Sequence, residues 1–436
     1  MKIIDGAEFD AYWKNQAAAS RDETADAAVR EIIAAVRKDG DGAVRLFASR
    51  FDKSAPEKTE VPLSAAREAY RALEAEDPRL AESLNFAADN IRRFALEQKK
   101  QFFDFEYEMG KGIIAGQKVI PVERAAVYAP AGRFPLVSSV LMGAIPALAA
   151  GAGEVILASP PLEDGLPDRR ILAAAHLAGV QRIFAAGGAQ AIAALALGTE
   201  SIPRCDIIAG PGNRYVAAAK RILYGEVGID FIAGPTDVLV IAGVRDDGRG
   251  FDGEAAADLA AADMLAQAEH DPDARARALV PSRDFAEKTA AALERRLSSL
   301  ASEAARSSLD SGGLIVVCGS KDEAVRIANV IAPEHLELQI PGAESWVASL
   351  RNYGSLFIGS LAAEVLGDYS AGINHTLPTS GSARFSGGLS VRHFLKTVTT
   401  LRCTKGEGWE KAVDAACRIA RAEGLRGHAE SAGARR

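Results

Sequence analysis

From Arg124 onward, short apolar runs alternate with Gly-rich turns and helix-like stretches, an order that a parallel sheet with crossover helices accommodates and few other folds do. RAAVYA leads into PAG, EVILAS into PP, RIFAA into GGAQ and CDIIA into GPGN. Helices are expected at 137–150, 191–197 and 215–224, after the first, third and fourth of these turns. A second series begins at Val238 with VLVIA, RALVPS, GGLIVVCG, HLELQI and GSLFIG as strands. Helices are expected around 254–270, 283–300, 321–330 and 343–350, and an exposed acidic, Gly-rich loop at 244–253. The fold class is therefore α/β, with two doubly wound, Rossmann-like domains built on parallel sheets.

Residues 1–105 read as mostly helical, with apolar residues at three- and four-residue spacing in stretches such as 23–37 and 65–74. The expected boundaries are a helical segment at 1–24, a discontinuous first domain from 25–126 and 238–388, and a second domain at 127–237. The tail, 389–436, reads as helical and charged, with no core of its own. A chain of 436 residues exceeds what one core supports.

Composition excludes several classes. A formal charge of −7 gives no global attraction to nucleic acid or an anionic membrane. The longest apolar stretch, 137–152, is interrupted by Gly143, Pro146 and Gly151 and is too short to span a bilayer. The first residues carry Asp5, Glu8 and Asp10 and lack the apolar run of a secretory leader. Cys205, Cys318, Cys403 and Cys417 include no C-x-x-C pair, which argues against a thiolate zinc site and fits a reducing, cytoplasmic setting.

Three Gly-rich turns place ligand-capable side chains beyond strand ends: Tyr128 with Gly132, Gly188 with Gln190, and Gly210 to Asn213. Each also reads simply as a tight connection, and no G-x-G-x-x-G followed by an acid is present. Periodicity alone says that a nucleotide can bind here.

The polar clusters are sparser. Gln267 and His270, at i and i+3 near a helix end, share one face within reach of one ion, although His270 alone reads as a dipole-favoured helix terminus. Glu334 and His335 are neighbours in IAPEHLEL, and on a regular strand they face opposite sides. Both serve one site only if Pro333 marks an irregular entry to the strand; they then supply two acid–base functions. Asp368 and His375 lie in GDYSAGINHTLPTSG, just after a strand. Glu423 and His428 stand near the end of the chain, where a His is usually just solvated. Gln267, His270, Asp368 and His428 are a mixed N/O set suited to catalytic zinc, but distance along the chain hides whether they converge.

VYAPAGRFPLVSSVLMGAIPA, GGAQAIAALALGTESIP, AGPGNRYVAAAKRILYG, VGIDFIAGPTDVLVIA, LAQAEHDPDA, APEHLEL, GDYSAGINHTLPTSG and AEGLRGHA are similar, in order and spacing, to the motifs of the histidinol dehydrogenase family, from about residue 25 to 430. The resemblance implies a zinc ion held by Gln267, His270, Asp368 and His428. It implies His335 as the base that takes the alcohol proton and Glu334 as the group that activates water. NAD contacts fall on Tyr128, Gln190 and Asn213, and substrate contacts on Thr236, His375 and Glu423 besides Gln267, His270, His335, Asp368 and His428. The implied reaction is a four-electron oxidation of L-histidinol to L-histidine with two NAD. The implied assembly is a homodimer in which the C-terminal tail completes the partner's site.

The sequence also departs from the commonest family pattern. Thr236 and Asp237 stand where Ser and Glu are usual, Ile373 where Thr is usual, and Arg133 and Arg214 occupy Gly-turn motifs. The arginines keep open another small alcohol, a sulfonate diol of the kind used by sulfopropanediol dehydrogenases. Glu423 favours an imidazole instead. A zinc hydrolase using Glu334 is a rival of another class, but it leaves the three Gly turns without a role. No cysteine lies in a Gly-rich turn, so the aldehyde step is expected to run through hydration rather than a thiohemiacetal.

Overall fold

The computed structural model describes residues 1–16, 23–130, 135–243 and 253–436. Both series of apolar runs are strands, each in its own six-stranded sheet. Sheet I runs in the order Glu60–Val61, Arg182–Ala185, Glu154–Ser159, Arg124–Tyr128, Ile207–Ala209 and Gly228–Ile229. Only Glu60–Val61 is antiparallel. Sheet II is wholly parallel: Lys2–Asp5, Leu314–Val317, Arg275–Val280, Asp237–Ala242, His335–Gln339 and Ser355–Ile358. In each sheet the chain winds outward in both directions from a central strand, Arg124–Tyr128 or Asp237–Ala242. Those strands are continuous aliphatic runs because helices cover both faces; Val238, Leu239, Val240 and Ile241 are fully buried.

The helix Val137–Ala150 spans the expected residues and is almost wholly buried. It rides close on the central strand of sheet I: a Cβ on Gly143 would stand 2.5 Å from Val127 Cγ1. The expected helices of sheet II are also present, the last as a 3-10 helix, Ala343–Ser349. The loop expected at 244–253 lies outside the described residues except for Gly253, the N-cap of Glu254–Ala268.

Three sequence expectations are corrected. Residues 25–126, expected to join 238–388, touch them where Asn90 Nδ2 donates to the Ser370 carbonyl at 2.7 Å, but their long helices pack on the sheet I unit. Val29, Val36 and Val44 of helix Glu23–Phe51 are buried against Ile156, Phe184 and Ile192 of the sheet I unit, and Ala88, Ile91 and Ala95 of helix Pro78–Lys99 pack with Val127, Leu141 and Ile145. The first residues are not a purely helical segment, since Lys2–Asp5 forms an edge strand of sheet II and Phe9 is buried with Leu314 and Val316. The tail is not helical from Ser390. Leu395–Cys403 pairs antiparallel with Ile113–Pro121, which pairs with Phe105–Gly110, and the helices Glu407–Ala422 and Arg426–Gly433 follow. The β-branched run Thr397–Thr400 suits a strand better than a helix. Among the described residues no helix is long and apolar enough to cross a membrane.

Candidate active site

Residues 230–236 lead from sheet I into sheet II, and the carboxyl end of sheet I faces the amino end of sheet II across a cleft of about 200 Å3. Sheet I contributes Pro211, Gly212 and Ser139; sheet II contributes Thr236, His270, Glu334, His335, Asp368 and His375. Thr236, His270 and Glu334 precede strands of sheet II and His335 begins one, whereas Asp368 and His375 follow the last strand. Thr236 stands just before Asp237–Ala242, and Glu334 just before His335–Gln339. Ligands of open α/β sheets ordinarily sit beyond carboxyl ends. Here only sheet I follows that rule.

Glu334 and His335 address the same cleft because the chain enters its strand irregularly. Glu334 N–H donates to Asp237 Oδ1 at 2.8 Å, while Glu334 Oε2 accepts from the Thr236 hydroxyl at 2.6 Å and from Asp237 N–H at 3.1 Å. His335 Nδ1 lies 3.1 Å from the Asp237 carbonyl, an acceptor, so Nδ1 carries the proton and Nε2 faces the cleft. Burial pushes the Glu334 carboxyl up to about 7, against the opposing pull of His335 and the Thr236 hydroxyl. Burial also works against a charged His335, but Glu334, Glu364 and Asp368 outweigh it and raise the ring well above its ordinary value.

Asp368 and Glu364 come from one short helix, Glu364–Tyr369, at i and i+4. Burial opposes ionisation of Asp368, yet His335, His375 and His270 hold it below the usual carboxylate range. His375 Nδ1 is 2.9 Å from the Asp368 carbonyl and its Nε2 is 3.4 Å from Ser139 Oγ; burial lowers its basicity. Gln267 is fully buried behind the cleft, its amide between Thr236 Oγ1 and Glu364. With the nitrogen turned to Glu364 it donates to both carboxylate oxygens, at 2.9 and 3.1 Å. His270, one turn further and exposed, lines the cleft.

The structure brings together Thr236, Gln267, His270, Glu334, His335, Asp368 and His375. It does not bring Glu423 and His428 to the same cleft. Both are exposed in the C-terminal helical region, and His428 borders a separate depression with Ser431 and Arg435. Among the described residues no three His, Cys, Asp or Glu side chains of this chain already form a metal cage. Two buried atoms of the cleft nevertheless lack any hydrogen-bond partner, His335 Nε2 and Asp368 Oδ1, as expected of groups that receive a guest. The N/O donors of Gln267, His270 and Asp368 fit a zinc ion that also needs a ligand from elsewhere.

The turn residues divide. Tyr128 is buried, and its hydroxyl accepts the Gly188 N–H at 3.0 Å. Gln190 is buried and donates to Asp52 Oδ2 at 3.2 Å. Neither lines the cleft. Asn213 is exposed and caps the helix Arg214–Leu223, accepting from Tyr215 and Val216 N–H. Its neighbours Pro211 and Gly212 do line the cleft. The Gly210 peptide of that turn is held on both sides by a buried ion pair, with Asp230 Oδ2 accepting its N–H at 2.8 Å and Lys220 Nζ donating to its carbonyl at 3.0 Å. Gly132 and Arg133 lie outside the described residues. The Arg214 guanidinium sits over the Tyr215 ring and is not part of the cleft lining.

Comparison with known proteins decides the family. A family model described as histidinol dehydrogenase matches residues 15–436. The histidinol dehydrogenase of Thermus thermophilus is 46% identical over 96% of this chain and 96% of its own length. That of Methylococcus capsulatus is 43% identical over 93% of this chain and 90% of its own. A crystal structure of histidinol dehydrogenase from Elizabethkingia anophelis matches 100% of this chain and 97% of that one, with a TM-score of 0.89 at 33% identity.

The chain belongs to the histidinol dehydrogenase family.

In this histidinol dehydrogenase family member two residues of the site escaped the sequence reading. Glu364 was detectable in principle from its i, i+4 spacing to Asp368 in EVLGD. Asp237 was noticed only as a departure, although it bonds to both Glu334 and His335. No cysteine lines the cleft, and Cys205, Cys318 and Cys417 are buried.

Proposed function

We propose that the chain oxidises L-histidinol to L-histidine through L-histidinal, using NAD and one zinc ion per site. The observation that carries this reading is the pair of unsatisfied atoms, His335 Nε2 and Asp368 Oδ1, buried side by side in the cleft. Bound NAD would supply the hydride acceptor for the oxidation, and zinc would supply a Lewis-acidic anchor for the substrate. Gln267, His270 and Asp368 would hold the ion, with His428 of a second copy as its fourth ligand. His335, with Nδ1 committed to the Asp237 carbonyl, offers Nε2 to the alcohol proton. Glu334 takes a proton from the water that adds to the aldehyde; its raised carboxyl suits a base working near neutrality. Thr236 and His375 line the substrate's side of the cleft, and Glu423 reaches it from the second copy.

The exposed Gly210–Asn213 turn, with Asn213, would hold NAD. Tyr128 and Gln190 act through the turn at Gly188, which their hydrogen bonds shape, since their own side chains are committed inside the protein. Two features support a homodimer. Glu423 and His428 stand away from their own cleft, and the antiparallel sheet and tail expose Tyr107, Met109, Leu401 and Ile419. Four free thiols suit a reducing cytoplasm.

Among the described residues no Arg or Lys lines the cleft; Arg133, which kept a sulfonate diol open, lies outside them. A hydrolase leaves His335 and the Gly210–Asn213 turn without work. The deciding assay counts NADH released per L-histidinol, with and without a chelator. Two NADH per substrate, lost on chelation and restored by zinc, are expected; no turnover of histidinol by zinc-loaded protein overturns the proposal.

A further inference from the structure

Consecutive side chains on a strand point to opposite faces, so Glu334 and His335 need a device that turns one of them. Asp237 is that device. Its carboxylate takes the Glu334 N–H at 2.8 Å, its own N–H meets the Glu334 carboxylate at 3.1 Å, and its carbonyl meets His335 Nδ1 at 3.1 Å. The second carboxylate oxygen, Oδ2, accepts from Arg277 Nη1 at 2.8 Å.

Arg277 belongs to the neighbouring strand Arg275–Val280, in register with Leu239, so it lies on the same face as Asp237 and reaches back along the strand to it. Both partners are buried, at 6% and 7% side-chain exposure. The guanidinium also lies 5.1 Å from the ring centre of Trp13 on the N-terminal helix Phe9–Gln16, and Trp13 stacks on Phe9 at 5.4 Å. Arg277 is thus held from behind while it holds Asp237 from the side.

We infer that Arg277 is a positioning residue for the reaction: through Asp237 it fixes the turn that presents Glu334 and His335 to one cleft. A planar guanidinium anchored by an aromatic face sets the carboxylate's direction as well as its charge. With that anchor gone, Asp237 is free to rotate, and the Glu334 amide loses its acceptor. Gln267, His270 and Asp368 come from other elements and keep their places.

The inference rests on the assignment of Glu334 and His335 as acid–base groups, so its test includes a readout independent of turnover. In zinc-loaded Arg277→Met, kcat for L-histidinol and for L-histidinal is expected to fall about 10- to 100-fold, with KM and bound zinc changed by no more than about threefold. Arg277→Lys, which keeps the charge but not the fork, is expected to recover part of the loss. Arg283→Met, exposed at the start of the helix Arg283–Leu300 beyond the far end of the strand, is expected to match the wild type. Independently of activity, amide exchange at Glu334 is expected to quicken in Arg277→Met. If Arg277→Met does not fold, Asp237→Asn, which keeps the shape and loses the charge partner, is expected to show the same kcat loss. Wild-type kcat per zinc-loaded site, or a loss that follows only the folded fraction, overturns the inference. A wild type inert toward histidinol refutes the proposed reaction; unchanged Glu334 exchange in Arg277→Met refutes the positioning role.

Discussion

His335 Nε2 stands 3.5 Å from Asp368 Oδ1, and neither atom has a hydrogen-bond partner. The gap is too long for a strong bond and the pair too buried for water to satisfy freely. The two residues reach this position from different elements, the strand His335–Gln339 and the helix Glu364–Tyr369. The proposed alcohol step begins at this gap.

Asp368→Asn keeps the shape of one side of the gap and removes its charge. Zinc affinity is expected to drop about 10- to 100-fold or more, measured as metal retained after dialysis. Retention of zinc at the wild-type level would remove Asp368 from the ligand set.

If His428 serves the neighbouring subunit, two inactive variants should complement each other. Mixing Asp368→Asn with His428→Asn chains by unfolding and refolding together restores one intact site in each mixed dimer, about a quarter of all sites for random pairing. Failure to recover any activity would mean that His428 acts within its own chain or not at all.

Zinc loading should also be visible at His335. Without the ion, Glu334, Glu364 and Asp368 raise the ring well above its ordinary value despite burial. A cation on Asp368 cancels part of that field, so the His335 titration followed by NMR is expected to move to lower pH in the loaded protein. A titration that does not move places the ion elsewhere.

Glu334→Gln separates the two halves of the reaction. Alcohol oxidation should continue while aldehyde oxidation falls about 100- to 10,000-fold. The base works in its ionised form, and its carboxyl is pushed up to about 7, so in the wild type the aldehyde step should climb as pH rises through 7 and level off above it. The residual activity of Glu334→Gln should lack that rise.

Thiol chemistry should be dispensable. Burial pushes the Cys205 and Cys318 thiols up to about 12, and the exposed Cys403 ends a strand of the antiparallel sheet rather than lining the cleft. Alkylation of native protein is expected to label Cys403 alone and leave both half-reactions intact. Specific loss of the aldehyde step would revive a thiohemiacetal.

The strands at Arg124–Tyr128 and Asp237–Ala242 and the helices Val137–Ala150 and Glu254–Ala268 were all legible in the sequence. Each depends on a local rule, such as an aliphatic run, a period of 3.6 or a glycine at a turn. Other features were not legible. The apolar stripe of helix Glu23–Phe51 specifies that a face is buried without saying against which sheet. The polar ends of Tyr128 and Gln190 look available until Gly188 and Asp52 are seen to use them.

Local pattern and chemistry thus determined by themselves that this chain forms two wound sheets and carries Glu, His, Asp and Gln side chains able to meet a ligand. Only the tertiary structure decided that the carboxyl end of one sheet meets the amino end of the other, and that Asp237 bonds to Glu334, His335 and Arg277 together. It also decided that Glu423 and His428 stand away from the cleft of their own chain. The physical reason is range. Periodicity and turn chemistry act over a few residues, whereas the site is assembled by contacts such as Asp237 to Glu334 and Asp237 to Arg277, between strands far apart in the chain.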